Sequence, residues 1–274
     1  MKYFYDVIQQ LKTVGYEENK DIFGLGYDFR KGELQVNNFA EMSRDAILKS
    51  YNSSQKKVII ITHSFGGNMI FNLMKYFGDE FCKKYIGKVI TVSAPLTGAP
   101  LALRALITGL SEVVQFPEKY LGSIERAMLS VFKLTPNKNW LDSVVFYNNS
   151  LYKPTDMIEV LNKVEELKEY GTYVYQKEII EKEEPTKMPG EVYWTCIYGS
   201  KKKTEVFYNY TSNLKKDPII TYGPGDGIVP LQSLNFCRQM QASKEYDLGD
   251  YEHTGILKST AFKDLLLKEI IIDN

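Results

Sequence analysis

Ser64 stands in Thr62-His63-Ser64-Phe65-Gly66-Gly67, directly after the β-branched run Val58-Ile59-Ile60-Ile61. A serine hydroxyl can attack a carbonyl when three conditions hold. It must project where the carbonyl can reach it, a base must take its proton, and N–H groups must stabilise the oxyanion that forms. A sharp strand-to-helix turn supplies the first, and small residues two places before and two after the serine relieve its crowding. Gly66 fills the later place; Thr62 fills the earlier one and crowds the turn. The backbone N–H of Phe65 is then one oxyanion donor, and the helix that starts there points its N-terminal dipole at the developing charge.

The chain contains 2 histidines, His63 and His253. His63 adjoins the serine, where a side chain normally points away from the nucleophile's base, so His253 is the expected general base. Nucleophile, acid and histidine follow one another in that order along chains of this architecture. The acid therefore belongs between residues 64 and 253. Asp226, in Tyr222-Gly223-Pro224-Gly225-Asp226-Gly227, fits because its flanking glycines permit a turn that aims a carboxylate at an imidazole. Asp217, Asp247 and Asp250 are rivals in plainer surroundings. A bare S-x-G, a surface histidine or a turn aspartate is each commonplace alone. The three types in the right order and contexts point to acyl-transfer chemistry.

The elements that would position these groups read as an α/β fold. A continuous apolar run such as Val58–Ile61 fits a strand buried on both faces, as in a parallel sheet. Further strands are expected at 88–92, ending in Ser93-Ala94-Pro95, and at 192–198. Helical spacing marks residues 3–14, 39–51, the stretch after Ser64, and the tail 260–272. Strands alternating with helices imply a mostly parallel sheet flanked by helices. Residues 100–190 break the rhythm, with apolar helical pieces at 101–110 and 124–132 and a charged helix near 157–168. They are expected to form a cap or lid inserted in one domain spanning 1–274.

At 274 residues and 44% apolar composition, the chain can bury a core of its own. A formal net charge of zero argues against a nucleic-acid partner. No stretch reaches the ~18 apolar residues of a membrane span. No metal-ligand cluster and no phosphate-binding glycine loop stand out, so neither metal nor cofactor is expected. The odd count of 3 cysteines, Cys82, Cys196 and Cys237, leaves at least one without a partner in the chain.

Several motifs together resemble the lecithin:cholesterol acyltransferase family, which includes lysosomal phospholipase A2-type acyltransferases. Tyr27-Asp28-Phe29-Arg30 is similar to its Y-D-W-R element, and Thr62–Gly67 to its A/G-H-S-M-G-G turn. Val92–Gly98 resembles its G-A-P-x-x-G segment, Gly225–Leu234 its G-D-G-T-V-x-L-x-S-L, and Glu252–Leu257 its H-x-x-I-L. The resemblance implies an α/β-hydrolase that cleaves phospholipid or related lipid esters through an acyl-enzyme on Ser64. The acyl group would pass to water or to a lipid alcohol such as a sterol. It implies a peripheral encounter with a membrane or lipoprotein surface and a mobile lid over 108–135, with Thr108, Phe116 and Leu121 in it. It also implies a Cys196–Cys237 disulfide; Cys82, without a counterpart in the family, is read as a buried thiol, and Asp28 and Arg30 as a structural ion pair. The family's upstream segment, with a signal peptide, a first strand and a loop donating the second oxyanion N–H, precedes the first helix seen here. An incomplete N-terminus would place the protein in a secreted or lysosomal lumen, and a true start at Met1 in the cytoplasm. The alternative to an enzyme is a truncated, non-catalytic lipid-binding relative.

Overall fold

The computed structural model describes residues 3–31, 38–109 and 118–271, with the backbone alone for 118–121. The first half runs α1 (Tyr5–Lys12), α2 (Phe39–Ser54), β1 (Val58–His63), α3 (Phe65–Phe77), α4 (Asp79–Tyr85) and β2 (Ile86–Val92). Next come α5 (Pro100–Ile107), α6 (Glu118–Arg126), α7 (Leu129–Lys133), β3 (Val145–Tyr147), β4 (Ser150–Tyr152), α8 (Met157–Leu161) and α9 (Tyr170–Tyr175). The chain closes with β5 (Tyr193–Tyr198), β6 (Lys202–Asn209), β7 (Ile219–Gly225), α10 (Leu231–Leu234), β8 (Lys244–Asp247) and α11 (Thr260–Ile271).

Two sheets organise these elements among the described residues. The first, in the order β1-β2-β5-β8, is parallel at every pairing. The pleat sends alternate residues to opposite faces. Val89, Trp194, Cys196 and Tyr198 pack beneath α2, α3 and α4, while Ile90, Val92 and Ile197 meet α1 and α11 on the other face. β2 is thus covered on both sides, whereas β1, at the end of the strand order, is mostly half-buried. The run Val58–Ile61 is nevertheless packed on both faces, Val58 and Ile60 against the first of these clusters and Ile59 and Ile61 against the other, less completely than β2 because β1 ends the strand order among the described residues.

The second sheet, in the order β4-β3-β6-β7, is mixed. It shares a separate apolar cluster with α5 and the helices that follow, including Leu103, Leu106, Phe132, Val145, Met157 and Tyr175. This cluster reaches Tyr208 and Tyr210, well past residue 190. Arg104 donates to Glu205 at 3.0 Å and the Tyr208 hydroxyl to the same carboxylate at 2.6 Å, pinning α5 to β6 inside it. The expected helix over 157–168 stops at Leu161, because Val164 adopts an extended conformation before a short 3-10 turn at 165–167. The piece 124–132 divides likewise at Met128, also extended. The first break lets Val160 and Leu161 before it and Leu167 after it reach one cluster; after the second, Phe132 enters that cluster while Ile124 stays exposed.

A buried ion cluster fastens α11 to the first sheet. Glu269 accepts from Thr195 at 2.9 Å, Tyr246 at 2.9 Å, Lys244 at 3.1 Å and Lys88 at 3.2 Å. Three different strands thereby converge on one helix carboxylate. Burial pushes this carboxyl upward in pKa, but the hydrogen bonds from Thr195, Tyr246, Lys244 and Lys88 outweigh it and hold it down at about 2. A group depressed on folding contributes stability above its unfolded pKa, and that stability drains as pH falls toward the folded value. Guanidinium unfolding should therefore show stability falling between about pH 5 and pH 2. Glu269→Gln, which leaves Lys88 facing an uncharged partner, should cost about 3 kcal/mol at neutral pH and flatten that acid limb. Unchanged stability and an unchanged limb would refute this account.

Candidate functional site

The first sheet ends where the candidate groups meet. At the tip of β1 the Ser64 N–H donates to the carbonyl of Val92 at 2.9 Å, extending the parallel ladder by one rung. The chain must then reverse into α3 at once, and Ser64 takes φ 54° and ψ −130°. A non-glycine residue held there costs on the order of 1–3 kcal/mol and lifts its side chain clear of the sheet. Phe65 opens α3. As the first helical residue it has no helix carbonyl one turn behind it, so its N–H is directed outward beside the serine.

Two glycines make the close approaches possible. A Cβ at Gly67 would stand 2.4 Å from the Cβ of Ala94, so its absence lets α3 lie against the end of β2. At Gly66 an added Cβ would meet Thr62 at 3.5 Å, an ordinary contact. The tight position is thus Gly67, and Thr62 is accommodated. The other approach is at Gly225, where a Cβ would fall 2.4 Å from the Val229 carbonyl and 2.5 Å from Thr204 Oγ1. That space lets the chain fold tightly around Asp226.

Asp226, His253 and Ser64 form one hydrogen-bonded line. Asp226 is 1% exposed. One carboxylate oxygen accepts from the N–H groups of Ile228 at 3.1 Å and Val229 at 2.8 Å. The other lies 2.7 Å from His253 Nδ1. A carboxylate can only accept, so Nδ1 carries the ring proton. His253 Nε2 is left as the acceptor for the Ser64 hydroxyl at 2.8 Å. A serine O–H facing an unprotonated imidazole nitrogen, itself oriented by a buried carboxylate, is able to lose its proton as it attacks a carbonyl. The rival acids are elsewhere and exposed. Asp247 binds Ser200 and the Gly249 N–H, Asp250 pairs with Lys202, and Asp217 lies in the loop before β7.

His63 is where sequence reasoning went astray. Its side chain does not turn away: it lies 4.8 Å, ring to ring, from His253 and is 6% exposed. Its Nε2 is 2.7 Å from the His253 carbonyl, and its Nδ1 is 2.7 Å from the Tyr3 hydroxyl. Burial, reinforced by neighbouring His253, holds this imidazole down at about pKa 4 against the opposing pull of that carbonyl and Asp226. It is therefore neutral at ordinary pH. The clue available was scarcity: both histidines of the chain sit at one site.

Asp28 and Arg30 bind each other through two contacts of 2.7 and 2.8 Å, at the surface. Tyr27, beside them, turns inward against Phe39, and its hydroxyl lies near Gly66. Burial, with Tyr3 nearby, raises its phenol to about 12. Cys196 and Cys237 are joined by a disulfide beneath the sheet, and Cys82 is a buried free thiol. Of the expected lid residues, Thr108 follows α5 and donates to the Arg104 carbonyl at 3.1 Å. Leu121 lies in α6, where the backbone alone is described, and Phe116 falls outside the described residues. Arg126 of α6 donates to the carbonyls of Leu106 at 2.8 Å and Ile107 at 2.9 Å, closing the C-terminus of α5 with a cation. Among the described residues no group of His, Cys, Asp and Glu could hold a metal ion.

Comparison with known proteins identifies the family and the fold. The family model for lecithin:cholesterol acyltransferase matches residues 1–163. The lysosomal phospholipase A and acyltransferase of Mus musculus is 25% identical over 280 residues, covering 99% of this chain and 67% of the relative. Lecithin-cholesterol acyltransferase-like 1 of Arabidopsis thaliana is 25% identical over 283 residues, covering 96% and 63%. The chain thus spans about two thirds of the length of the curated relatives it matches. Among solved structures, a chain of the Tle4–Tli4 complex superposes with a TM-score of 0.60 at 14% identity, over 90% of this chain and 67% of that one, a likeness of fold alone. With a parallel sheet flanked by helices and a family match over more than half its length, this chain has the α/β-hydrolase fold and belongs to the lecithin:cholesterol acyltransferase family.

Proposed function

We propose that this chain is a serine hydrolase or acyltransferase that cleaves acyl esters of phospholipids or related lipids. The observation that carries the reading is the unbroken line from Ser64 through His253 to Asp226, at 2.8 and 2.7 Å. Ser64 Oγ attacks the ester carbonyl while its proton passes to His253 Nε2. Asp226 stabilises the imidazolium that results and keeps the ring in its tautomer. The tetrahedral oxyanion takes a hydrogen bond from the Phe65 N–H, next to the positive end of α3. Collapse breaks the ester bond, and the departing lysolipid alkoxide recovers the proton from His253. Water or a lipid alcohol such as a sterol then gives its proton to His253 and attacks the acyl-serine. Release of the acid or new ester restores Ser64.

The lipid substrate class is inferred from relatives named as phospholipase A and acyltransferase. Thr108, Phe116 and Leu121 are assigned to a lid that would exclude water from a hydrocarbon chain. Such a substrate is insoluble, so the protein would meet it at a membrane or lipoprotein surface without spanning it. The Cys196–Cys237 bond fits an oxidising lumen, secreted or lysosomal, better than the cytosol.

A fluorophosphonate probe should label the folded protein on Ser64. Ser64→Ala should abolish labelling, and Ser64→Ala and His253→Ala should each lower ester turnover by about 10⁴-fold or more with little change in thermal midpoint. Asp226→Asn, which reverses the tautomer demanded of His253, should lose about 10⁴-fold. Near-native turnover in any of the three would remove the assignment of these residues, and a folded protein that resists the probe and turns over no ester would leave a non-catalytic lipid binder. The acyl chain gives a second test. Each buried methylene contributes about 0.8 kcal/mol, so kcat/KM should climb about fourfold per methylene over short chains. A flat series would point to small soluble esters instead.

A further inference from the structure

Resting on the triad reading above, we infer that His63 is a positioning residue that locks the base His253 to the nucleophile's own turn. The argument begins with hydrogen-bond roles. The carbonyl of His253 can only accept, so the His63 nitrogen 2.7 Å from it, Nε2, carries the ring proton. His63 Nδ1 then lacks a proton and accepts from the Tyr3 hydroxyl at 2.7 Å. The tautomer of His63 is thereby set from outside, and its neutral state follows from burial.

Residue 253 is consequently held from two sides. Its backbone N–H donates to the carbonyl of Asp226 at 2.8 Å, and its Nδ1–H meets the Asp226 carboxylate. Both of those bonds fix it to the acid. Neither fixes it to the serine, which sits on a different element, and the Ser64–His253 bond must itself break as the proton moves. The His63 bond to the carbonyl supplies the missing constraint. His63 is covalently joined to Ser64 at the end of β1, so whatever holds residue 253 to His63 holds it in register with the attacking hydroxyl. The bond also persists through the cycle, because it involves a backbone carbonyl and no proton in flight. A displacement near 1 Å at reacting groups can cost about 10²-fold in rate.

The test uses the full chain with His63→Leu, His63→Gln and His63→Asn, measured on one soluble ester and by the rate of fluorophosphonate labelling. Glutamine can bring an amide N–H to the place of Nε2, asparagine cannot reach it, and leucine keeps bulk without a donor. His63→Leu should lower kcat by about 10–10²-fold, slow labelling in parallel and leave KM within about twofold. His63→Gln should recover most of that loss, and His63→Asn should not. A folded His63→Leu with native kcat would overturn the proposal, as would a His63→Gln no faster than His63→Asn. If leucine prevents folding, the comparison of Gln with Asn decides alone. Ser64→Ala is the control: if it keeps its activity, the triad reading has failed, whereas a dead Ser64→Ala beside an unaffected His63→Leu condemns this inference only.

Discussion

The geometry of the site follows from one tight reversal, the passage from β1 into α3 through a residue with φ 54°. Ser64 is both the last rung of the ladder, through its N–H to Val92, and the residue before a helix. The two demands are met only in a sparsely populated backbone conformation, and the surrounding contacts must over-determine it. They do so in a specific way. The missing side chain at Gly67 allows α3 to press on Ala94, while Phe65, Met69 and Phe71 bury the helix against the sheet. Trp194, whose indole N–H donates to Thr91 at 2.9 Å, packs edge-on to Phe71 and ties β5 into the same layer. The strain at one residue is thus carried by the packing of a whole helix.

Both partners of Ser64 arrive from the far end of the chain on segments that have little regular structure of their own. Asp226 follows β7, a strand of the second sheet, and His253 follows β8, a strand of the first. The proposed acid and base therefore join the two sheets. Asp226 is held by the N–H groups of Ile228 and Val229, while Gly227 donates to Thr204 of β6 at 2.8 Å. The acid loop is consequently rooted in the second sheet and its cluster. The base loop is rooted in β8 and in α11, which Glu269 clamps to three strands. Hydrogen bonds between Asp226 and His253, backbone and side chain, are what bring these two roots to one point.

Sequence patterning revealed the parallel half of the molecule well and the second sheet hardly at all. The strands at 88–92 and 192–198, the helix after Ser64 and the C-terminal helix stand close to where their apolar runs placed them. β3 and β4 are 3 residues each, too short for an alternation to show. β7 runs through Gly223, Pro224 and Gly225, residues that ordinarily mark a turn; as an outer strand of its sheet it tolerates a proline that donates no hydrogen bond. α8 and the turn after it share a helical spacing, yet Val164 breaks them because Leu167 must enter the apolar cluster from another direction. Local periodicity carries no information about such a redirection.

What the sequence offered by itself was the residue types of the proposed chemistry and their order along the chain. One serine after a β-branched run, one late histidine and one glycine-flanked aspartate limit the choices severely, since few side chains can act as nucleophile, base and acid. Tertiary structure decided the rest: which aspartate faces the imidazole, which glycine the turn cannot spare, and where His63 points. Flanking glycines set Asp226 apart from Asp217, Asp247 and Asp250 along the chain, but the imidazole it faces comes from a segment 27 residues away. His63 looked idle because its partner is 190 residues away, a backbone carbonyl that no side-chain pattern could announce. Residue types are local and can be read along the chain, but hydrogen-bond partners are set by how separate segments pack.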